Sequence, residues 1–131
     1  MNYEVEKITT FKDLRAWKEG HRLVTMVYKL TKNFPREEQY GLSGQLRRAV
    51  VSITSNIAEG FSRYSLKEKL QFYTTALGSL TEVQNQLLIA KDVGYLKEEE
   101  YAATENQTVV VSKICNGLIK KTRMTLSTRN S

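Results

Sequence analysis

Apolar residues along the chain recur at steps of three and four, the spacing that places them on one side of an α-helix. Leu14, Trp17, His21, Val24, Tyr28 and Thr31 make the first such series. Thr10 can cap it, and Asp13 suits the positive end of its dipole. Pro35 biases the residue before it away from helical geometry, so a first helix is predicted to end near Asn33. After the loop FPREEQYG, Leu42, Leu46, Ala49, Val50, Ile53 and Ile57 fall in one narrow arc. Gly60 is expected to end that helix as a left-handed residue. SLKE, from Ser65 to Glu68, matches a capping box and opens a third helix carrying Leu66, Leu70, Tyr73, Leu77, Leu80, Leu87 and Leu88. VGYL closes it at Gly94, and a fourth helix from about Lys97 carries Tyr101, Thr108, Val111, Cys115, Leu118, Ile119 and Leu126.

The third and fourth helices each span about 27 residues, or about 40 Å at the helical rise. Short connections make successive helices antiparallel. The expectation is an all-α, antiparallel up-down-up-down four-helix bundle. It forms a single domain over residues 1–131, with loose termini at about 1–9 and 127–131. One proline and seven glycines are too few punctuators for a many-turned β fold.

Helix one carries more apolar surface than one core needs. Ala16, Leu23, Val27, Leu30 and Phe34 form a second stripe beside the first, and the two cover over half the circumference. A wide stripe covered by the N-terminal arm or left in water accounts for this, and so does self-association. The second reading is preferred and puts Leu23, Val27 and Leu30 at an interface. Gln45, Ser52, Asn56 and Glu59 make a polar ladder flanking the second helix's core arc. It either bonds a neighbouring helix or subunit, setting register, or is a solvated flank; Ser52, Asn56 and Glu59 join the interface candidates on the first reading. Gln84, on the apolar line of helix three, is a better candidate for a satisfied core polar group.

Twenty Lys and Arg against fourteen Asp and Glu leave a formal charge of +6, which makes polyanions plausible partners. On the antiparallel bundle, Lys12, Arg15, Arg63, Lys67, Lys69, Lys120, Lys121 and Arg123 gather at one end; Glu37, Glu38, Asp92, Glu98, Glu99 and Glu100 gather at the other. Helix dipoles explain part of this, but Lys67 and Lys69 stand near a helix start, where positive charge is mildly unfavourable. Phe61 and Tyr64 lie among the cations and could stack on bases. The expectation is sequence-tolerant phosphate contact with RNA or DNA by Arg63, Lys67, Lys69, Lys120, Lys121 and Arg123, with Arg47 and Arg48 as a second, more central basic site.

No Walker loop, dinucleotide glycine signature or HExxH is present, and no Glu-x-x-His pair for a metal within the bundle. No catalytic, metal-binding or cofactor-binding residue is assigned, and a non-enzyme is expected. His21 reads as a core residue rather than a base. Cys115, the one cysteine, reads as a buried thiol. No apolar run approaches the roughly 20 residues that span a bilayer, so no membrane partner is expected. MNYEVEKITT lacks a secretion signature, which points to the reducing cytoplasm.

The segment FKDLRAWKEGHRLVTMVYKLTKNFPREEQYGLSGQLRRAVVSITSNIAEGFSR, with FYTTALGSLTEVQNQL after it, resembles the bacterial four-helix bundle protein family. Members of that family include proteins encoded by intervening sequences within large-subunit ribosomal RNA genes. The likeness runs from about Phe11 to Leu118 and rests on the ordered set L-x-x-W, FP before YGL, QLRRA, NIAEG and A-x-GSL-x-E. It implies a ring-like homopentamer of four-helix protomers. More distantly, the chain is similar to the accessory variability protein of diversity-generating retroelements, a basic pentameric barrel. That likeness adds a reverse transcriptase and nucleic acid as expected partners. A protein-interaction scaffold with no nucleic-acid role is the alternative. The family carries no catalytic residues to transfer.

Overall fold

The computed structural model of the chain describes residues 7–130. A 3-10 turn, Phe11–Asp13, precedes four helices: α1, Arg15–Thr31; α2, Leu42–Ser62; α3, Leu66–Asp92; and α4, Glu98–Asn130. Each helix packs on its chain neighbours and α4 closes on α1, while the diagonal pairs stay apart among the described residues. This is the expected up-down-up-down bundle around one core.

Local chemistry explains most boundaries. The Asp13 carboxylate accepts the Thr9 and Thr10 N–H groups, each at 2.9 Å, which closes the 3-10 turn and holds its pKa below the ordinary value. Leu14 then takes an extended conformation, so α1 begins later than the sequence suggested. Ser65 accepts the Glu68 N–H at 3.3 Å and starts α3 as expected. Gly94, at φ 87°, turns the chain between α3 and α4 in a conformation that favours glycine. The expected loose termini fall partly on residues 1–6 and 131, which lie outside the described residues. At the other end α4 does not stop at Leu126 but continues as helix through Asn130. No proline or glycine follows Gly117 to break it.

Gly60 does not end α2. It lies inside the helix, and a Cβ there would stand 2.7 Å from Tyr73 Cε1 and 3.0 Å from Phe72 Cβ. The missing side chain lets α3 approach.

The core face of α1 is not the first stripe. Its buried line is Ala16, Gly20, Leu23, Val27 and Thr31, continued by Phe34, again at steps of three and four. His21 and Tyr28 are exposed, and Trp17 and Val24 are half-buried. Leu23 and Val27 are 0% exposed within the single subunit, and half-buried Leu30 packs against the same core. Leu23 and Val27 therefore cannot face a neighbouring subunit, and the surplus-surface argument loses its central residues. His21 is likewise not a core residue. It stacks on Trp17 at 4.7 Å between ring centroids and 14° between planes.

Cross-helix polar bonds set the register. Ser52 and Ser79 hydroxyls bond at 2.8 Å between α2 and α3. Gln84 donates to Thr108 Oγ1 at 3.1 Å between α3 and α4, as a satisfied polar group on the core line should. Gln107 donates to the Glu19 carbonyl at 2.9 Å, tying α4 to α1. Cys115 is buried, and burial pushes its thiol up to about 11.

Glu38 ties the end holding the α1–α2 loop. Its Oε1 accepts the Leu42 N–H at 3.0 Å, capping α2, and its Oε2 accepts the Tyr95 hydroxyl at 2.8 Å. Both bonds favour the carboxylate and hold its pKa below the ordinary 4.5. A depressed folded-state pKa contributes stability above the unfolded value that is lost as pH falls through the folded one. Glu38→Gln should therefore lower the urea midpoint at pH 7 and make it fall less between pH 5 and pH 3 than in the parent chain.

Candidate nucleic-acid interface

The bundle brings the 3-10 turn, the α2–α3 connection and the close of α4 to one end. Lys12, Arg15, Lys67, Lys120, Lys121 and Arg123 are exposed there, and none is ion-paired among the described residues. Arg123 of α4 borders a cleft of about 590 Å³ with Asn56 of α2 and Gln71, Phe72, Thr74 and Thr75 of α3. Lys120 and Lys121 border a second cleft, of about 500 Å³, with Met124 and Arg129. Tyr64 is fully exposed at the α2–α3 connection.

Three of the eight expected contacts have other work, two of them at this end. Lys69 donates to the Phe61 carbonyl at 2.6 Å and the Gly60 carbonyl at 3.3 Å, so its ammonium caps the C-terminus of α2. It also lies over the Phe61 ring at 5.5 Å, and partial burial lowers its pKa. Lys69 is thus a positioning residue for the α2–α3 connection. Arg63 lies over the Phe72 ring at 4.7 Å, with Glu59 3.9 Å away on the preceding turn. Its charge is partly matched. A cation therefore already lies over Phe61 and another over Phe72, both half-buried, whereas Tyr64 is fully exposed with no cation over its ring among the described residues.

Arg47 and Arg48 meet at a different place. Both border a cleft of about 330 Å³ with Tyr28, Val51, Ser52 and Ser55, between α1 and α2. Arg48 is exposed, whereas half-buried Arg47 donates from Nε to Thr31 Oγ1 at 2.9 Å and lies over the Tyr28 ring at 5.2 Å. They are not part of the basic end.

The opposite end is mixed rather than acidic. Glu38 is held as a cap, Glu98 lies 3.8 Å from Lys91, and Glu100 accepts the Lys97 N–H at 2.9 Å. Lys32 and Arg36 stand exposed in the same region. Summing charges along the chain missed this interleaving.

The polar ladder closes largely within the subunit. Asn56 Nδ2 donates to the Ser52 carbonyl at 2.7 Å and to its hydroxyl at 3.1 Å, and Ser52 bonds Ser79. Glu59 is exposed, facing Arg63. Exposed apolar side chains are spread over the surface, with Tyr28 on α1, Val51 on α2 and Met124 on α4, and three of them, Leu88, Ile89 and Val93, each more than 40% exposed, fall together at the close of α3. Among the described residues no group of three His, Cys, Asp or Glu comes together, and no helix is long and apolar enough to cross a membrane.

The same arrangement is found in a crystal structure of a protein with unknown function from the S23 ribosomal protein family of Bacteroides thetaiotaomicron. It superposes with a TM-score of 0.75 at 22% identity, covering 80% of this chain and 95% of that one, a likeness of fold. No curated protein matches the chain. The family model for the 23S rRNA-intervening sequence protein matches residues 12–117. That span takes in α1, α2, α3 and about the first three-fifths of α4, and with it the cross-helix bonds that set the bundle's register: the chain belongs to the 23S rRNA-intervening sequence protein family.

Proposed function

We propose that the protein is a non-enzymatic, cytoplasmic, self-associating accessory factor that binds RNA or DNA through the phosphate backbone at the basic end of its bundle. The observation that carries this reading is the exposed, unpaired set Lys67, Lys120, Lys121 and Arg123, delivered by the start of α3 and the close of α4 beside fully exposed Tyr64. Unpaired cations on rigid helices meet phosphates without breaking an existing bond, and such contacts tolerate any sequence. The family's description, naming an intervening sequence of ribosomal RNA, supports nucleic acid as the setting. Assembly into a pentamer and work beside a reverse transcriptase belong to this reading on the strength of the resemblance alone.

Lys67→Glu with Lys120→Glu should weaken binding of a labelled 20-nucleotide RNA strongly at 50 mM salt. It should also flatten the dependence of log affinity on log salt by about 1.4, since each lysine neutralises one phosphate of the single strand in the parent chain. Fluorescence anisotropy across a salt series reads both quantities. Equal affinity and slope in variant and parent would remove the basic end from the reading.

A second reading has its own observation. Leu88, Ile89 and Val93 are exposed close together in sequence at the end of α3, and such surface fits a scaffold that docks a protein or another copy. Under that reading the same charge reversal leaves partner capture intact, and light scattering reports the copy number.

A further inference from the structure

We infer that the corner where α1 leads into α2 is a binding site for a phosphate group, separate from the cations at the α2–α3 end. A cleft of about 330 Å³ opens there, bordered by Lys32, Arg36, Gln39, Ser43 and Arg47. Three cations surround it and no carboxylate lines it. The acids of the same loop are engaged elsewhere or stand outside. Glu38 is held by the Leu42 N–H and the Tyr95 hydroxyl, and Glu37 does not border the cleft.

Two features make this more than a basic patch. Arg47 is fixed in place by its Nε bond to Thr31 at 2.9 Å and by the Tyr28 ring beneath it, while its Nη groups have no acceptor among the described residues. A guanidinium held in this way presents a rigid donor fork that matches a tetrahedral oxyanion. Ser43 is only 4% exposed and borders the cleft, and its hydroxyl makes no hydrogen bond among the described residues. That hydroxyl is not sealed from solvent, since Gln86 Oε1 is the buried side-chain atom without a partner among the described residues, and it is therefore open to a bond from a group that enters the cleft. The volume stands at the low end for ligand sites, enough for a phosphate with a small substituent or one unit of a nucleic-acid backbone.

This site stands whether or not nucleic acid binds the other end. Its test uses inorganic phosphate as the probe, titrated by calorimetry into the full chain at constant ionic strength. Saturable one-site binding is expected. Lys32→Gln with Arg36→Gln, both at exposed positions, should weaken it about tenfold or more. Ser43→Ala should weaken it by a smaller factor, and Lys67→Glu with Lys120→Glu should leave it unchanged. Circular dichroism confirms that each variant keeps its helices. Competition by a ten-nucleotide RNA that persists in the Lys67→Glu, Lys120→Glu variant assigns a backbone phosphate as the source. Phosphate binding that such RNA does not displace assigns a free phosphorylated small molecule. Absence of saturable phosphate binding in the parent chain, or equal binding in the Lys32→Gln, Arg36→Gln variant, overturns the site.

Discussion

Leu23→Ala is expected to lower the stability of the folded chain by about 3 to 5 kcal/mol, the range for emptying a fully enclosed leucine site. Leu23 is 0% exposed and belongs to the core shared by all four helices. The deleted methyl groups remove transfer energy, and a cavity remains because α1 is pinned to α4 by Gln107 and to α2 by Arg47. Against a total stability of about 5 to 15 kcal/mol, the variant should be visibly marginal at 37 °C. Urea unfolding, followed by circular dichroism, measures the loss. The decisive feature is its dependence on concentration. A residue of the subunit core costs the same at 2 µM and 100 µM protein, whereas an interface residue would change the association equilibrium. A loss confined to the higher concentration would return Leu23 to an interface.

Gly60→Val is expected to cost about 2 to 3 kcal/mol, although valine is the better helix former. The new Cβ would stand 2.7 Å from Tyr73 Cε1, 2.9 Å from Tyr73 Cδ1 and 3.0 Å from Phe72 Cβ. Tyr73 is buried, so its ring has no free path into solvent, and α2 and α3 must move apart at Gly60. Tyr73→Ala should relieve the two shortest approaches and leave the one to Phe72 Cβ, so Gly60→Val should cost less in that background by about 1 kcal/mol or more. Four urea midpoints complete the double-mutant cycle. Strict additivity would mean that Gly60 is helical for some reason other than the approach of Tyr73.

The candidate site was legible to different depths. Lys67, Lys120, Lys121 and Arg123 were recognisable because short, charged helix ends leave few places for a cation except solvent. Lys69 and Arg63 looked the same in sequence, yet one caps α2 and the other covers Phe72. A long, flexible side chain reaches several partners, and only the packed neighbours decide among them. The α1–α2 cleft was missed because Lys32 and Arg36 lie in the α1–α2 connection while Ser43 and Arg47 stand on α2, and the nearby glutamates masked them in a sum of charges. Leu23 and Val27 were misread as interface residues for a related reason. Two adjacent stripes cover more than half of α1, and periodicity shows that such a helix is buried without showing which stripe faces the axis.

Within the chain itself, hydrophobic spacing, the Ser65 cap, Gly94 and the short loops were enough to determine four antiparallel helices and most of their core. These are local signals, read within a few residues of where they act. Three features needed the assembled bundle: the rotation of α1, which buries Leu23 and Val27 and exposes His21; the helical Gly60 under Tyr73; and the partners of Lys69 and Arg47. Each depends on a surface contributed by residues far away in sequence. A helix's own pattern is unchanged by rotation about its axis, so only contact with its neighbours selects one.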